Sequence, residues 1–389
     1  MYVARLELAD FRNYRAASVE LAPGATVFVG PNGQGKTNLV EAIVLLASGS
    51  SHRVAGDAAL IRHGKDRAII RALLKHGERT VTVEAELNRG APNRILVNRS
   101  PVRSKEARRY LDAVIFAPED LGLVRDEPSG RRRFLDALLV MRQPRLAGVL
   151  ADYERVVRQR NSLLKSARAA RITDATRSTL DIWDAQLSAI GAEITAARIA
   201  LVDELRPFAV EAYATIAGEG QRLELELELT GAADPEEFTT RLAARRGDEL
   251  DRAVTLVGPH RDDLRIVLND MPARTHASHG ESWSTALSLR LGSAELLRRS
   301  GPAGDPIIIL DDVFAELDAR RRERLIGAVA DYEQVLVTAA VQADVPDGLA
   351  GPMIRIRAGE IVGDPDGDDG TNASGGDAED LEKARAADG

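Results

Sequence analysis

GPNGQGKT, at residues 30–37, is the segment from which the architecture of this chain follows. It comes after the apolar run 26–29 and before a helical pattern, which is the context in which G-x-x-x-x-G-K-[ST] forms a phosphate-binding loop. Gly33 and Gly35 let backbone N–H groups turn inward around phosphate oxygens, and the following helix adds its positive end. The alternative, a plain glycine turn, is disfavoured by this context. The segment therefore predicts a P-loop.

The P-loop predicts how a nucleotide is held. Lys36 is expected to reach the β- and γ-phosphates, and Thr37 is expected to ligate Mg²⁺. ATP and Mg²⁺ are the expected cofactors. The candidate nucleotide-binding residues are Gly30, Pro31, Asn32, Gly33, Gln34, Gly35, Lys36 and Thr37.

A second motif lies far along the chain, where the run IIIL at 307–310 ends in Asp311 and Asp312. An apolar strand that ends in two carboxylates is typical of a Walker B site. Asp311 is then expected in the Mg²⁺ shell, and Asp312 is placed as a base that orients the attacking water. The alternative is a buried strand that ends in a capping aspartate. The P-loop favours the Walker B interpretation.

Further motifs follow one another in a fixed order: Phe11-Arg12-Asn13-Tyr14, 30–37, VIFAPEDL at 114–121, RRRFLD at 131–136, GPHRDDL at 258–264, SHGE at 278–281 with ALSL at 286–289, and LDDVFAELD at 310–318. This series resembles the branch of ABC-type ATPases that contains the SMC and RecF proteins, and most closely the RecF family. The resemblance extends from residue 1 to about residue 358.

The resemblance implies roles for four further residues. Ser278 and Gly280 look like the signature motif, which in this class touches the γ-phosphate bound by the other subunit; without the family they form a polar helix cap. Asp318 falls in the D-loop. Arg12 is implied as a phosphate- or signature-side contact, and the alternative is a surface arginine after a strand. An ATP-dependent homodimer is therefore expected.

Three departures from the family pattern concern hydrolysis. The signature reads S-H-G-E where many relatives have glutamine, 337–340 contains no histidine that could sense the γ-phosphate, and Asp312 replaces a more usual glutamate. A shorter carboxylate and a missing switch histidine predict slow turnover. The expected enzyme is a weak, DNA-stimulated ATPase.

The arrangement of elements predicts an α/β fold: an ABC-type P-loop ATPase head, with a mixed sheet and an antiparallel meander from 68 to 98, and an inserted, mainly helical arm. The head is assigned to 1–128 and 254–362. The arm, or lobe II, is assigned to 129–253, where glycines are few and apolar residues recur with helical period. Residues 363–389 are predicted to be a disordered acidic tail, with an acidic interaction tail as the alternative.

Composition restricts location and partners. The 389 residues include no cysteine, which excludes a disulfide framework and fits the cytoplasm. No signal peptide and no apolar run near the ~20 residues of a membrane span is evident, so no membrane is expected. Of the net charge of −8, the tail supplies −7 through nine acids against Lys383 and Arg385. The remaining body is near neutral and can carry a basic face.

The arm supplies such a face, because arginines recur from 131 to 171 with few acids between them. The proposed DNA contacts are Arg131, Arg132, Arg133, Arg155 and Arg158. The alternative is a solvated helix face. Scarce aromatic residues give less support to base stacking than to backbone contact.

The family resemblance implies DNA partners in the form of gapped duplexes, single-stranded DNA and single/double-strand junctions. The ATP-bound dimer is expected to act as a clamp on this DNA, and slow ATP hydrolysis is expected to release it. It also implies the RecR and RecO mediators and a role in recombinase loading, replication restart and SOS induction. A small-molecule kinase needs neither an arm nor a signature helix, and a transporter ATPase has a shorter spacing from P-loop to Walker B. A non-cycling DNA-binding adaptor and an SMC-like scaffold remain alternatives. DNA-stimulated turnover that Asp312→Asn abolishes distinguishes a cycling ATPase from an adaptor.

Overall fold

The computed structural model describes residues 1–54, 56–169, 174–218, 220–300, 304–346, 348–349 and 351–362. The strands are β1 (Tyr2–Phe11), β2 (Tyr14–Glu20), β3 (Gly24–Val29), β4 (Arg67–His76), β5 (Arg79–Asn88), β6 (Arg94–Val97), β7 (Ser100–Val102), β8 (Ala113–Phe116), β9 (Leu223–Glu228), β10 (Asp263–Leu268), β11 (Met271–Pro272), β12 (Ile307–Asp311), β13 (Gln334–Ala339), β14 (Met353–Arg357) and β15 (Glu360–Val362). The predicted disordered tail lies outside the described residues.

The helices connect these strands. They are α1 (Lys36–Ser48), α2 (Ser104–Ala107), α3 (Leu121–Arg125), α4 (Pro128–Arg142), α5 (Leu146–Ala169), α6 (Asp174–Ala217), α7 (Pro235–Arg252), α8 (Ala273–His276), α9 (His279–Ser300) and α10 (Ala319–Val329). The mixed α/β class predicted from the sequence is confirmed.

One sheet brings the P-loop and the acidic motif to the same edge. Its strand order is β15-β14-β3-β13-β12-β8, and all neighbours except β14 and β15 run parallel. Parallel strands share the edge at which their carboxyl ends lie, and such edges bind ligands in α/β folds. Val29 is in register with Ala339, and Thr338 is in register with Asp311. The end of β3 and the end of β12 therefore face each other across β13.

The strand β12 is apolar throughout because both of its faces are covered. Ile307 and Ile309 belong to the core that contains α1, whereas Ile308 and Leu310 belong to the core that contains α6 and α9. A strand that is buried on both faces has a continuous apolar run instead of an alternating one.

The predicted antiparallel meander is part of a second sheet, with the order β2-β1-β4-β5-β6-β7. Apolar residues of β1 and β4 share one core with α1, including Leu6, Ile70 and Ile43. Because α1 is enclosed in this way, ten of its residues are buried and its sequence shows no broad polar face.

The helical lobe differs from the predicted arm at its C-terminal boundary. β9 pairs with β10, and β10 pairs with β11, so one three-stranded sheet spans the boundary that the sequence placed between 253 and 254. Leu201 and Leu205 of α6 share the core with Leu289 and Leu297 of α9. Hydropathy along the chain does not show which element covers a buried face, and here α9 covers α6.

By length and composition alone, the segment Arg177–Ala217 of α6 could cross a membrane, although the sequence analysis found no such run. Half of its most apolar window is buried in the protein. The core helix of a globular protein passes the same test, so this is weak evidence for a membrane span.

His260 joins the loop before β10 to α5. Its Nδ1 lies 2.8 Å from the Tyr153 hydroxyl, and its Nε2 lies 3.2 Å from the carbonyl oxygen of Thr255. Because a carbonyl only accepts, Nε2 carries the hydrogen and Nδ1 accepts from Tyr153. Burial lowers the pKa of His260 from 6.5 to about 4. These contacts give His260 a structural role.

Acid is therefore expected to destabilise the protein through His260. Between pH 6.5 and about 4 the unfolded chain binds the proton and the folded chain does not, so stability falls as the pH falls through this window. The expected loss is about 1–3 kcal/mol. Urea unfolding across this range measures it, and His260→Gln should flatten the slope whereas His63→Gln, at an exposed histidine, should not. Equal slopes in both variants would contradict the assignment.

Candidate phosphate-binding site and arm surface

The loop 30–37 has backbone angles that require glycine. Gly33 and Gly35 have φ of 80° and 120°, in the region that residues with a Cβ rarely adopt. A Cβ on Gly30 would collide with the carbonyl oxygen of Ile356 on β14. The helix α1 begins directly at Lys36, so its free N–H groups face the loop. This geometry matches the anion-binding loop predicted from the sequence.

Lys36 places a buried ammonium group inside this loop. The side chain is 3% exposed, and its Nζ donates to the carbonyl oxygen of Gly30 at 2.8 Å and lies 3.4 Å from that of Pro31. Within the described part of the chain no carboxylate pairs with it. A buried cation without an acidic partner is available to an anion.

The acidic end of β12 contacts the P-loop helix. The Thr37 hydroxyl donates to Asp311 Oδ1 at 3.0 Å, and the Thr338 hydroxyl donates to the same oxygen at 2.6 Å. Asp311 is 4% exposed, and burial, with a further contribution from Asp312, raises its pKa to about 6. Hydroxyl and carboxylate oxygens are the ligands that Mg²⁺ prefers, and a cation favours the ionised carboxylate. These two residues, far apart in sequence, fit a Mg²⁺ site.

Asp312 occupies a strained turn at the end of β12. Its φ is 51°, and its backbone N–H donates to the Thr338 hydroxyl at 3.0 Å. Left-handed conformations of residues other than glycine are concentrated at functional sites. The turn places Asp312 immediately beyond the strand, beside Asp311.

The segment at 278–281 begins the long helix α9, which starts at His279. The Ser278 N–H donates to Glu281 Oε2 at 2.8 Å, and the Glu281 N–H donates to Ser278 Oγ at 3.3 Å. This reciprocal pair is a capping box. Ser278 is therefore both a helix cap and an exposed polar residue at a positive helix end.

Asp318 is linked to this helix end through Arg321. Asp318 Oδ1 accepts the backbone N–H of Arg321 at 2.9 Å, and Arg321 Nε donates to Ser284 Oγ at 3.0 Å. A Cβ on Gly280 would lie 2.9 Å from Arg321 NH1. Among the described residues, no hydrogen bond or ion pair connects Ser278 or Gly280 to the P-loop of the same chain. The signature-like residues and Asp318 form one edge, separate from the phosphate loop.

Arg12 faces α1. Its Nε and NH2 donate to the two carboxylate oxygens of Glu41, at 2.8 and 2.7 Å, and its NH1 donates to the carbonyl oxygen of Ala59. Burial opposes ionisation of Glu41, but the hydrogen bonds from Arg12 and Ser51 outweigh it and lower the pKa of Glu41. Within the chain, the Arg12 guanidinium therefore neutralises a buried carboxylate of α1, a partner that no sequence motif indicated, and its expected phosphate- or signature-side contact stays a prediction.

Two arm arginines that the sequence analysis treated as parts of a basic face are structural. Arg131 is 3% exposed and binds Asp263 through Nε and NH2 at 2.7 and 2.9 Å, so its assignment as a DNA contact is wrong. Arg160 is fully buried between Asp184 and Glu249. The few acids between the arginines in sequence were misleading because the pairing carboxylates come from other helices and strands.

The remaining predicted DNA contacts differ in exposure. Arg132 is half-buried and donates to the carbonyl oxygen of Asp262 at 2.8 Å. Arg133 is exposed. Arg155 and Arg158 are exposed and lie 2.8 and 3.5 Å from acids one turn earlier on α5, and such surface pairs are weak. The last three can reach a large anionic partner.

A cluster of cations at the tip of the arm has no acidic partner among the described residues. Lys165 and Arg168 near the end of α5, together with Arg252 at the end of α7, line a surface pocket of about 490 Å³. We call these three residues the arm-tip cations. Sequence spacing does not place Arg252 beside α5, because the two helix ends meet only in the folded protein.

Comparisons with known proteins agree with this geometry. The family model of the RecF/RecN/SMC N terminal domain matches residues 2–349. The DNA replication and repair protein RecF of Clavibacter michiganensis subsp. michiganensis is 54% identical, over 97% of this chain and all of that protein. A solved structure of the recombination mediator protein RecF with ATP, in the RecFOR pathway, has a TM-score of 0.83 and 27% identity, and the match covers 93% of this chain and 97% of that one. The Smc head domain of Pyrococcus furiosus, at 17% identity and a TM-score of 0.53 over 93% of this chain and 96% of that one, shares the fold.

Proposed function

Because this chain belongs to the RecF family, we propose that it is an ATP-dependent DNA-binding protein of recombinational repair. The observation that carries the proposal is the pairing of a phosphate loop, with its buried Lys36, to Asp311 through Thr37. Relatives named as DNA replication and repair proteins, and a RecF structure with ATP, support the choice of nucleotide and of pathway.

In the proposed site, MgATP is bound by the P-loop. Lys36 contacts the β- and γ-phosphates, and Thr37 and Asp311 hold Mg²⁺, which neutralises charge on the phosphates. Asp312 orients the attacking water. Asp312 is shorter than the more usual glutamate, and 337–340 contains no switch histidine, so hydrolysis is slow. Hydrolysis then opens the dimer and releases the clamped DNA. The protein is thus proposed to be a weak ATPase that DNA stimulates.

Each nucleotide site is proposed to be a composite site, in which one copy of the chain supplies the P-loop and a second copy supplies the residues that face the γ-phosphate. Ser278, Gly280 and Asp318 contact the nucleotide held by the partner subunit, so two nucleotides close a symmetric dimer. The link through Arg321 supports this, because it makes the signature-like helix end and Asp318 one edge. Nucleotide state then sets DNA affinity through thermodynamic linkage.

DNA is proposed to bind through backbone phosphates in the space between the two arms of the dimer. The contacts are Arg133, Arg155, Arg158 and the arm-tip cations. Family resemblance adds the preference for gapped duplexes and single/double-strand junctions, the RecR and RecO mediators, and the cytoplasm. A non-cycling adaptor, in which ATP only stabilises the dimer, is distinguished by the Asp312→Asn variant.

Sedimentation velocity with a fluorescent gapped duplex tests the proposed function. At about physiological salt, ATP is expected to give a dimer on the DNA, whereas ADP and nucleotide-free buffer leave most protein as free monomer. A protein that stays monomeric and free of DNA in ATP would show that the clamp mechanism is wrong for this chain.

A charge-reversal pair locates the DNA face in the same experiment. The double variant Lys165→Glu with Arg168→Glu is expected to weaken DNA binding about tenfold or more and to lower its salt dependence, with ATP-driven dimerisation retained. The matched control, Lys75→Glu with Arg79→Glu, makes the same charge change on exposed residues of the meander sheet. Equal losses in both variants would indicate a net-charge effect and remove the arm tip from the proposed DNA face.

A further inference from the structure

The P-loop is gripped from its outer side by groups that belong to neither Walker motif. The carbonyl oxygen of Gln34 accepts two hydrogen bonds, one from Asn13 Nδ2 at 2.9 Å and one from the backbone N–H of Gly359 at 2.9 Å. A carbonyl oxygen has two lone pairs, so both are used. Asn13 lies in the turn from β1 to β2, and Gly359 lies in the turn from β14 to β15.

The next peptide of the loop is held by α1 itself and by one group from outside, because the carbonyl oxygen of Gly35 accepts the backbone N–H of Leu39 at 3.1 Å and a second hydrogen bond from Tyr14. The Tyr14 hydroxyl donates to the carbonyl oxygen of Gly35 at 3.1 Å. Tyr14 is fully buried, and burial raises the pKa of its hydroxyl well above the usual value, so it remains a donor. A Cβ on Gly35 would lie 2.8 Å from Asn13 Nδ2 and 3.0 Å from the Tyr14 hydroxyl. The side chains of Asn13 and Tyr14 therefore pack directly against Gly35.

The planar trans peptide bond links the hydrogen bonds on the outer side of the loop to the direction of the N–H groups on its inner side. In a trans peptide the C=O of one residue and the N–H of the next point in opposite directions. When the carbonyl groups of Gln34 and Gly35 are held outward, the N–H groups of Gly35 and Lys36 point to the opposite side, where an inward-facing row of N–H groups binds anions. We propose that Asn13 and Tyr14 are positioning residues for the nucleotide, acting by aiming these two N–H groups at its phosphates.

A chain of side chains fixes the direction of the Asn13 amide. Arg53 NH1, which can only donate, bonds Asn38 Oδ1 at 3.1 Å. Asn38 Nδ2 then donates to Asn13 Oδ1 at 2.8 Å, which leaves Asn13 Nδ2 to donate to the loop. The amide is thus oriented as a donor toward Gln34 before any ligand binds.

The turn between β14 and β15 also holds the outer side of the P-loop, through hydrogen bonds to Gln34. The N–H of Ala358 donates to Gln34 Oε1 at 2.7 Å, beside the bond from Gly359. Both residues have positive φ, 50° and 77°, which brings two successive N–H groups to one side of the chain. Gln34 is therefore held at its side chain and its backbone by the C-terminal hairpin.

Substitutions that remove the hydrogen-bond donors test the positioning role, which rests on the proposal that the loop binds a nucleotide. Isothermal titration of the full chain with MgATP is expected to show affinity about 3–10-fold weaker for Tyr14→Phe and for Asn13→Ala. Asn13→Asp, which keeps the shape but replaces the donor by a carboxylate, is expected to be weaker still. Inorganic tripolyphosphate should show the same fold-losses as ATP, because the affected N–H groups contact phosphate and not base.

Two control variants separate positioning from stability. Tyr153→Phe removes a buried hydroxyl that bonds His260, and Asn93→Ala removes an amide that bonds Asp57; neither lies near the loop. Both should leave ATP affinity unchanged even where thermal stability falls. The inference is overturned if Tyr14→Phe and Asn13→Asp bind ATP as tightly as the wild type, or if their loss appears with ATP but not with tripolyphosphate. A wild-type chain that binds no ATP would instead overturn the proposed function.

Discussion

Lys36→Ala is expected to lose nucleotide affinity by a factor of about 100 or more, because charge-assisted hydrogen bonds contribute about 1.5–3 kcal/mol each and the ammonium reaches two phosphates. The fold should persist, because Lys36 is bonded to loop carbonyls and makes no ion pair with a described residue. Water can hydrate those carbonyls in the variant. Isothermal titration with MgATP, together with the free energy of unfolding in nucleotide-free buffer, separates the two effects.

The control for this variant is Lys75→Ala, which removes an exposed lysine from β4. It should bind ATP as the wild type does. ATP affinity of Lys36→Ala within a few-fold of the wild type would contradict the assignment of the loop. A large fall in its stability without nucleotide would show that the ammonium has a structural role instead.

Ser278→Arg is expected to abolish the ATP-driven dimer while leaving ATP affinity of the monomer unchanged. The arginine places a long side chain at the helix end that is proposed to meet the partner's γ-phosphate, and it removes the capping box with Glu281. Loss of a cap costs about 1 kcal/mol, which is too little to unfold the protein. Sedimentation equilibrium with ATP measures the dimer, and titration with ATP measures the monomer site.

Two further variants isolate the cause. Ser278→Asp retains a good cap but places a carboxylate against the partner's phosphates, so it should also fail to dimerise. Asp234 caps α7, because its Oδ1 accepts the backbone N–H groups of Glu236 and Glu237. The variant Asp234→Arg removes this cap, and the variant protein should dimerise normally. If Ser278→Asp and Ser278→Arg both form ATP-dependent dimers, the composite site is not built from this helix end.

The sequence was informative where a motif is local. The run 30–37 and the acidic end of 307–312 are read from consecutive residues, and β12 is apolar throughout because it is covered on both faces. The family and the fold class read from these motifs are confirmed. The individual roles of Lys36, Asp312 and Ser278 stay predictions, tested by the variants above.

The sequence alone could not show which groups pair with the charged side chains. Arg131 and Arg133 are two positions apart on one helix, yet the first is buried against Asp263 and the second is exposed. With 3.6 residues per turn, two positions apart corresponds to about 200° around the helix axis, so the two side chains lie on opposite faces, but only the packed strand β10 shows which face is covered. The same holds for Arg12, whose partner Glu41 interrupts the apolar run 39–47 of α1.

By itself, the sequence determined the phosphate loop, the strand that ends in two acids and the order of motifs that identifies the family, because each depends on residues close together in the chain. Only the tertiary structure decided that β9 joins β10, that Arg12 neutralises Glu41 and that Arg252 joins the arm-tip cations. Hydrophobic period specifies that a face is buried, whereas the identity of the group that covers it, or that pairs with a charge, is set by elements distant in the chain.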